Sequence, residues 1–535
     1  MRYRVSIALV VVAALGALVS VPARARAPII TQSHQSTPAE SNVRAYGSPA
    51  VVVDPDDPLR VYAAGVEYRT GTCKFQSSED GGRTWRQAAN APSIPDYPRC
   101  VHNLGLVPAS FLAMGRDKTL YWAHQASSIG DLPNISVVVS RSTDHGASWT
   151  SAVVRDARGK VGDARERNVI TDLAVDTRNS AGDVVYVAWM RGSLPLSALI
   201  AVSVDGGQTF SGPVDPTDGF FREPSNLPAG VPPERRQAGQ VAGLQPNLAI
   251  DGTGSLYVVW LELVVGDPLH SPVRFRRMYV SRSTDQGKTF AEPTFVRTMT
   301  TDGVGIIGPM LEWSPRGGPD GSLHLVYESR KEPAQGDRDV QYHRSVDGNR
   351  TWSEVKVLND DDPKQLFGQF LPNVAVAPNG RVDVVWWDLR DGAPDYANDV
   401  YYGYSEDAGE TWSTNLRITD RSIDRKIGIW TNNSDTRQPP GLGSADELAV
   451  VVWDDTRNGD QVTDSQDLRA AAAQFDELGA GGSSHVLAYA MAGLAGAGVV
   501  GLGLLIAGLV LRARRLPVPQ DAGAVNPMPS GTDRS

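Results

Sequence analysis

Seven times along this chain a short, almost wholly apolar run appears, rich in Val, Tyr and Trp. The runs are Val61–Gly65, Leu120–His124, Val185–Trp189, Leu256–Trp260, Leu323–Tyr327, Asp383–Trp387 and Ala449–Trp453. Each is too short for a buried helix, and β-branched and aromatic residues dominate, so each predicts a strand covered on both faces. Around several of them lie further strand-like stretches. One precedes (Pro246–Ile250, Pro372–Val376), separated by a turn at Asp251-Gly252 or Asn379-Gly380. A third follows (Met278–Ser281, Val400–Tyr404), and a fourth comes later still (Glu354–Leu358). Four antiparallel strands per unit, repeated seven times, predict an all-β fold of the propeller type.

Between the third and fourth strands a second repeat occurs six times, spelled Ser-x-Asp-x-Gly-x-Thr-Trp with small departures. The copies begin at Ser78, Ser142, Ser203, Ser283, Ser345 and Ser405, with acids at Asp80, Asp144, Asp205, Asp285, Asp347 and Asp407. Asp followed by Gly lets the chain take positive φ while the carboxylate accepts N–H groups of the turn, and the closing Trp or Phe plugs the next strand into the core. The octapeptide resembles the Asp-box (BNR repeat) of the sialidase-like β-propellers over residues 78–412. That resemblance implies a structural turn on the face away from any active site. It also keeps a six-bladed ring open as the alternative to seven, since sialidases have six.

The seventh unit has no box. It offers Leu448–Trp453 and a third strand near Leu468–Phe475, but no fourth. Pro28–Ser33, ahead of the first unit, is the natural donor of the missing strand. Pairing the two ends would remove the open sheet edges.

The ends of the chain predict where it resides. Arg2 and Arg4 precede an apolar run and an Ala-Arg-Ala site, which reads as a signal peptide over residues 1–25. Residues 26–45 form the N-terminal segment and 46–475 the propeller. A Gly/Ser tether follows at 476–485. Val486–Leu511 is then an uncharged stretch of 26 residues, long enough for one transmembrane helix. Arg512, Arg514 and Arg515 place the 512–535 tail, read as disordered, in the cytoplasm, and the propeller outside the cell membrane. Gly493, Ala497 and Gly501 make a small-residue stripe through which two such helices could pair.

Charge and cysteine usage narrow the chemistry. The net charge is −10, with acids and bases interspersed, which argues against a nucleic-acid partner. The two cysteines, Cys73 and Cys100, both belong to the first unit and predict a disulfide. No Cys/His cluster has zinc spacing, and no P-loop or G-x-S-x-G elbow occurs, so no metal or cofactor is expected. Calcium is conceivable at the acidic runs Asp54–Asp57 and Asn359–Asp362, where solvated loop acid is the plainer reading.

An acid-x-Arg pair follows the second strand in four units, as Glu67/Arg69, Glu328/Arg330, Asp388/Arg390 and Asp455/Arg457. These pairs are the candidate catalytic groups of a hydrolase, and Trp387, Arg390 and Arg457 the candidate ligand contacts on the top face. Repetition blade after blade favours blade-building ion pairs instead. The sialidase resemblance implies an Arg-Ile-Pro motif opening the first blade, its Arg binding the substrate carboxylate. Here the stretch reads Tyr46-Gly47-Ser48-Pro49, with Gly47 at that place. Glu67 is the nearest equivalent of the acid/base Asp. Arg165, Arg167, Arg235, Arg236 and Tyr396 lie on plausible top-face loops without an anchoring motif. Two readings follow: a non-catalytic surface propeller that binds a glycan or a cell-surface protein, and an exo-acting glycoside hydrolase of sialidase type.

Overall fold

The computed structural model describes residues 27–475. Excepted are 40, 89–91, 93–96, 98, 101–109, 128–133, 163–164, 193–195, 228–233, 235–240, 265–273, 299–307, 331–337, 363–367, 392–396 and 430–438. The expected signal peptide, tether, membrane span and tail lie outside the described residues. Among the described residues no helix is long and apolar enough to cross a membrane.

The described residues form seven antiparallel sheets. The second strands of the blades run Val61–Glu67, Leu120–Ser127, Val184–Arg191, Leu256–Val264, Ser322–Arg330, Val382–Asp388 and Leu448–Asp455. The inner strands are Tyr46–Val53, Ser110–Met114, Asn168–Asp176, Val241–Ile250, Met310–Ser314, Gln369–Val376 and Gly441–Ala445. The third blade has three full strands, with Val214 bridged to Ile200 at its outer side. In the seventh, Ile29 and Ile30 pair antiparallel with Gln474 and Ala473, and His34–Gln35 continues along the same strand. The ring therefore has seven blades, and the N-terminal segment supplies the fourth strand of the last.

The continuous apolar spelling of the second strands follows from their place. A strand's side chains alternate between its two faces. In the third blade Val185, Val187 and Trp189 pack toward the second blade with Tyr121 and Val137. Val184, Tyr186 and Ala188 pack toward the fourth with Val258 and Trp260. Both faces are core, so the run has no polar alternation.

The boxes behave as self-contained turns. Asp80 Oδ1 accepts the N–H groups of Arg83 (3.0 Å) and Thr84 (2.8 Å), and its Oδ2 accepts the Thr84 hydroxyl at 2.6 Å. The Ser78 hydroxyl donates to Asp80 at 2.7 Å and accepts the Gly82 N–H at 2.9 Å. Asp144, Asp205, Asp285, Asp347 and Asp407 repeat the acceptor pattern. Those bonds hold the carboxyls low: Asp285, facing the Thr289 hydroxyl and N–H, lies at about 2. We expect Asp347→Ala to cost about 1–2 kcal/mol in chemical denaturation and to leave ligand affinity untouched. Lost affinity with an unchanged midpoint would show that the boxes face the ligand.

Cys73 and Cys100 form a disulfide with Cα atoms 5.3 Å apart. Cys100 proves to be part of a short strand, Arg99–Cys100, paired to Ser127 and Ala126 of the second blade. The bridge thus joins the first two blades.

Candidate functional site

The inner strands enclose a central channel, and four of them carry a bulge. Register shifts fall between Gly47 and Ala50, Ile170 and Asp172, Leu244 and Asn247, and Phe370 and Asn373. At three of these, a residue just before proline takes positive φ: Ser48 (53°), Gln245 (53°) and Leu371 (51°). A bulge leaves backbone N–H groups without ladder partners. Buried side chains of the preceding blade take them: Gln125 Oε1 accepts Ile170 N–H at 3.0 Å, and Glu328 Oε2 accepts Leu371 N–H at 2.7 Å.

This arrangement explains one of the four candidate acids, and bonds to nearby backbone explain a second. Glu328 is fully buried, bonded to Leu371 across the blade boundary and to Arg338 at 3.2 Å. Glu67 accepts the N–H groups of Ala45 and Thr70 at 2.9 and 2.7 Å. Burial by itself would raise the Glu67 carboxyl, but the Thr70 hydroxyl and the surrounding N–H groups outweigh it and hold the carboxyl below its ordinary range. Arg69 is exposed, its guanidinium on the carbonyls of Thr463 and Asp464. Arg330 ends the second strand of the fifth blade.

The other two acids make a shared lock. Asp388 accepts the Trp386 indole N–H at 3.0 Å, the Arg390 backbone N–H at 2.8 Å and the Arg390 Nε at 3.0 Å. Asp455 does the same with Trp453 (3.1 Å) and Arg457 (2.9 Å to both the backbone N–H and Nε). Each guanidinium then reaches a second acid at 2.7 Å, Arg390 to Asp360 and Arg457 to Asp420. Trp387, expected against ligand, is instead fully buried in the core with the Arg425 guanidinium 4.7 Å above its ring. Its strand lies between two blades, so neighbouring Trp386 and Trp387 are swallowed on opposite faces.

The acidic runs have protein partners. Lys118 takes Asp54 and Asp56, Arg60 takes Asp57 at 3.2 Å, and Asn359 donates to Asp361 at 2.7 Å. Arg165 is exposed and Arg167 half-buried, while Arg235, Arg236 and Tyr396 lie outside the described residues. At Gly47 a Cβ would meet Tyr68 Cε2 at 2.5 Å, and Tyr68 Oη is fixed to Ser48 Oγ at 2.9 Å. No arginine fits there while that tyrosine holds its place.

What the channel does contain lies outside the candidate groups named from the sequence. A cavity of about 120 Å³ opens midway along the inner strands, lined by Pro49, Phe111, Asp172, Asn247, Glu312 and Asn373 among others. Another, of about 320 Å³, lies toward the box face, and Asp172 and Glu312 border both. They form a waist. Neither lining includes an Arg or Lys among the described residues. Asp172 accepts Leu173 N–H and, from the next blade, Leu248 N–H, both at 2.7 Å. Burial nevertheless pushes its carboxyl up to about 7. Glu312 is pushed to about 8, first by burial and then by the charge of Asp172. Asn247 and Asn373 staple neighbouring blades, Asn247 through Leu311 N–H (2.5 Å) and Asn373 through the Pro440 carbonyl (3.0 Å). The waist can thus hold a carboxylic acid and a carboxylate side by side in a polar, cation-free cavity.

Fold and site together define a seven-bladed, Asp-box β-propeller with an acidic central channel. No family profile and no curated protein matches the sequence. Solved structures similar to it in fold are distant. An α-L-arabinofuranosidase of Fusarium graminearum, complexed with arabinobiose, is 15% identical, covering 70% of this chain and 98% of its own, with a TM-score of 0.44. The intramolecular trans-sialidase of Ruminococcus gnavus is 11% identical over 65% and 91% of the two chains, TM-score 0.42. An ulvan lyase of a new polysaccharide lyase family is 11% identical over 79% and 93%, TM-score 0.46.

Proposed function

We propose that this chain is a glycan-binding propeller that receives an uncharged carbohydrate at the mouth of its central channel, without sialidase-type catalysis. The observation that carries this is the channel's charge. Two carboxyl groups border it, no guanidinium or ammonium of the described residues lines it, and Arg390 and Arg457 are tied to acids of the propeller itself. An anionic sugar would meet repulsion without a bidentate guanidinium partner. Hydroxyl groups, in contrast, suit a cavity whose polar atoms are carboxyl and amide and whose remaining wall is apolar. We further propose that residues 486–511 anchor the propeller on the outer side of the cell membrane.

Glu312 favours a second reading. A carboxyl that keeps its proton near neutrality beside a second carboxyl is what a glycoside hydrolase requires of its general acid. One experiment separates the two. The purified protein is screened on an array of neutral and sialylated glycans and, in parallel, against fluorogenic glycosides. We expect binding of neutral glycans and no release of sialic acid above background. Turnover abolished by Glu312→Gln would make the protein a hydrolase, and selective retention of sialylated glycans would refute the charge argument.

A further inference from the structure

The bridge between the first two blades is set against a histidine. Cys73 comes from the third strand of the first blade, Cys100 from the short strand Arg99–Cys100, and His124 from the second strand of the second blade. All three are buried, at 8%, 6% and 2% exposure. His124 Nδ1 lies 3.8 Å from Cys73 Sγ and 3.6 Å from Cys100 Sγ, and the three atoms fall within 4.8 Å of one another. Bonds of about 2.3 Å to sulfur and about 2.0 Å to nitrogen from one shared ion put the nitrogen about 3.6–3.8 Å from each sulfur, and the two sulfurs, bonded to each other in the disulfide, need only separate on reduction. The other ring nitrogen is held from outside: Nε2 is 2.9 Å from Ser140 Oγ, which is 2.7 Å from Ser151 Oγ. Such an outer hydrogen-bond chain fixes tautomer and ring orientation at metal-bound histidines.

We infer that reduction of the Cys73–Cys100 disulfide uncovers a buried metal site, made of the two thiolates and His124 Nδ1, whose occupant is copper(I). The softness of the donors selects copper(I) or zinc among common ions. Among the described residues no fourth His, Cys, Asp or Glu atom joins the three, and structural zinc takes four ligands. A buried three-donor set suits the low-coordinate monovalent ion. The chemistry balances with a dithiol as reductant. It gives two electrons and two protons to the S–S bond and becomes a disulfide itself. Copper(I) then displaces the two thiol protons into solvent. Either state keeps the first two blades joined, by a covalent bond or through the ion.

The test uses the full-length protein, oxidised and after anaerobic reduction, titrated with copper(I) against a chromogenic chelator. The reduced protein should stay folded by circular dichroism and bind one equivalent at least a hundredfold more tightly than the oxidised protein. Added copper should raise its melting temperature. Cys73→Ser should abolish the tight site, His124→Gln should weaken it at least tenfold, and Ser140→Ala should weaken it less. Unfolding on reduction, absence of tight copper binding, equal binding by His124→Gln, or tighter retention of zinc than copper would each overturn the inference.

Discussion

Raising the pH from 5 to 8 is expected to cost the propeller on the order of 2 kcal/mol of stability, and Glu312→Gln is expected to remove most of that loss. The sign follows from the direction of the shift. Below the ordinary carboxyl range, Glu312 carries a proton in folded and unfolded chains alike. Above it the unfolded chain releases that proton, whereas the folded channel holds Glu312 protonated until about pH 8. Across that window the unfolded state is favoured progressively. Asp172, raised to about 7, adds a contribution of the same sign. Urea unfolding of the wild type and Glu312→Gln at pH 5, 6, 7 and 8 measures this directly. Parallel pH profiles would mean that water reaches the waist freely and that neither carboxyl is perturbed.

Removing residues 27–37 should have the largest effect of any change to the described chain. The segment supplies two paired stretches to the last blade, and its bonds extend beyond them. Thr31 N–H donates to the Ala472 carbonyl, Ser36 N–H to the Leu468 carbonyl, both at 2.9 Å, and Arg469 reaches the Ser33 carbonyl at 2.8 Å. Each such bond is worth about 1 kcal/mol net, and their loss also bares the edge of the strand Asp467–Gln474. We expect destabilisation of more than about 5 kcal/mol and an ensemble that no longer unfolds cooperatively at physiological temperature. A synthetic peptide covering the segment should restore the melting transition when added in excess. A truncated protein melting within a few degrees of the wild type would show that the ring closes without its N-terminal strand.

Features whose partners lie near in the chain are legible from the residues alone. An Asp-box is satisfied within four residues, as Asp80 and Thr84 show, so its spelling contains its geometry. The second strands announce themselves because burial on both faces removes polar residues altogether. Ring closure follows from counting, since the last unit lacks one strand. The rest depends on contacts between blades. Whether Asp388 faces a ligand or an indole turns on Trp386 and on Asp360 holding Arg390, which no local pattern encodes. Trp387 closes a run whose spelling predicts burial on both faces, and only its place at the top-face end of that strand offers it to a ligand; the core takes it instead. Asp172 and Glu312 meet only because inner strands of different blades converge on the axis, and the spelling some of them share (Asp172-Leu-Ala-Val, Asn247-Leu-Ala-Ile, Asn373-Val-Ala-Val) does not extend to the strand of Glu312. His124 does carry a signal: it occupies a place where other second strands have Trp, Tyr or Gly. Its nearness to the cysteines depends on consecutive blades packing side by side.

The pairing of the first strand with the last also dictates when folding can finish. Thr31 waits for Ala472, a partner 441 residues away. At translation speeds of about 5–20 residues per second, roughly twenty seconds to a minute and a half separates the appearance of the two. Six blades can form in order as they emerge, but the seventh has no fourth strand until the beginning of the chain is recaptured. Such long-range closure is slow and leaves an incomplete ring as an intermediate. The waiting segment is suited to the delay: its paired stretches are two residues each, and Ile29 is 55% exposed even when docked. A strand this short is a poor template for other chains, so the ring's latch can stay open without inviting the wrong partner.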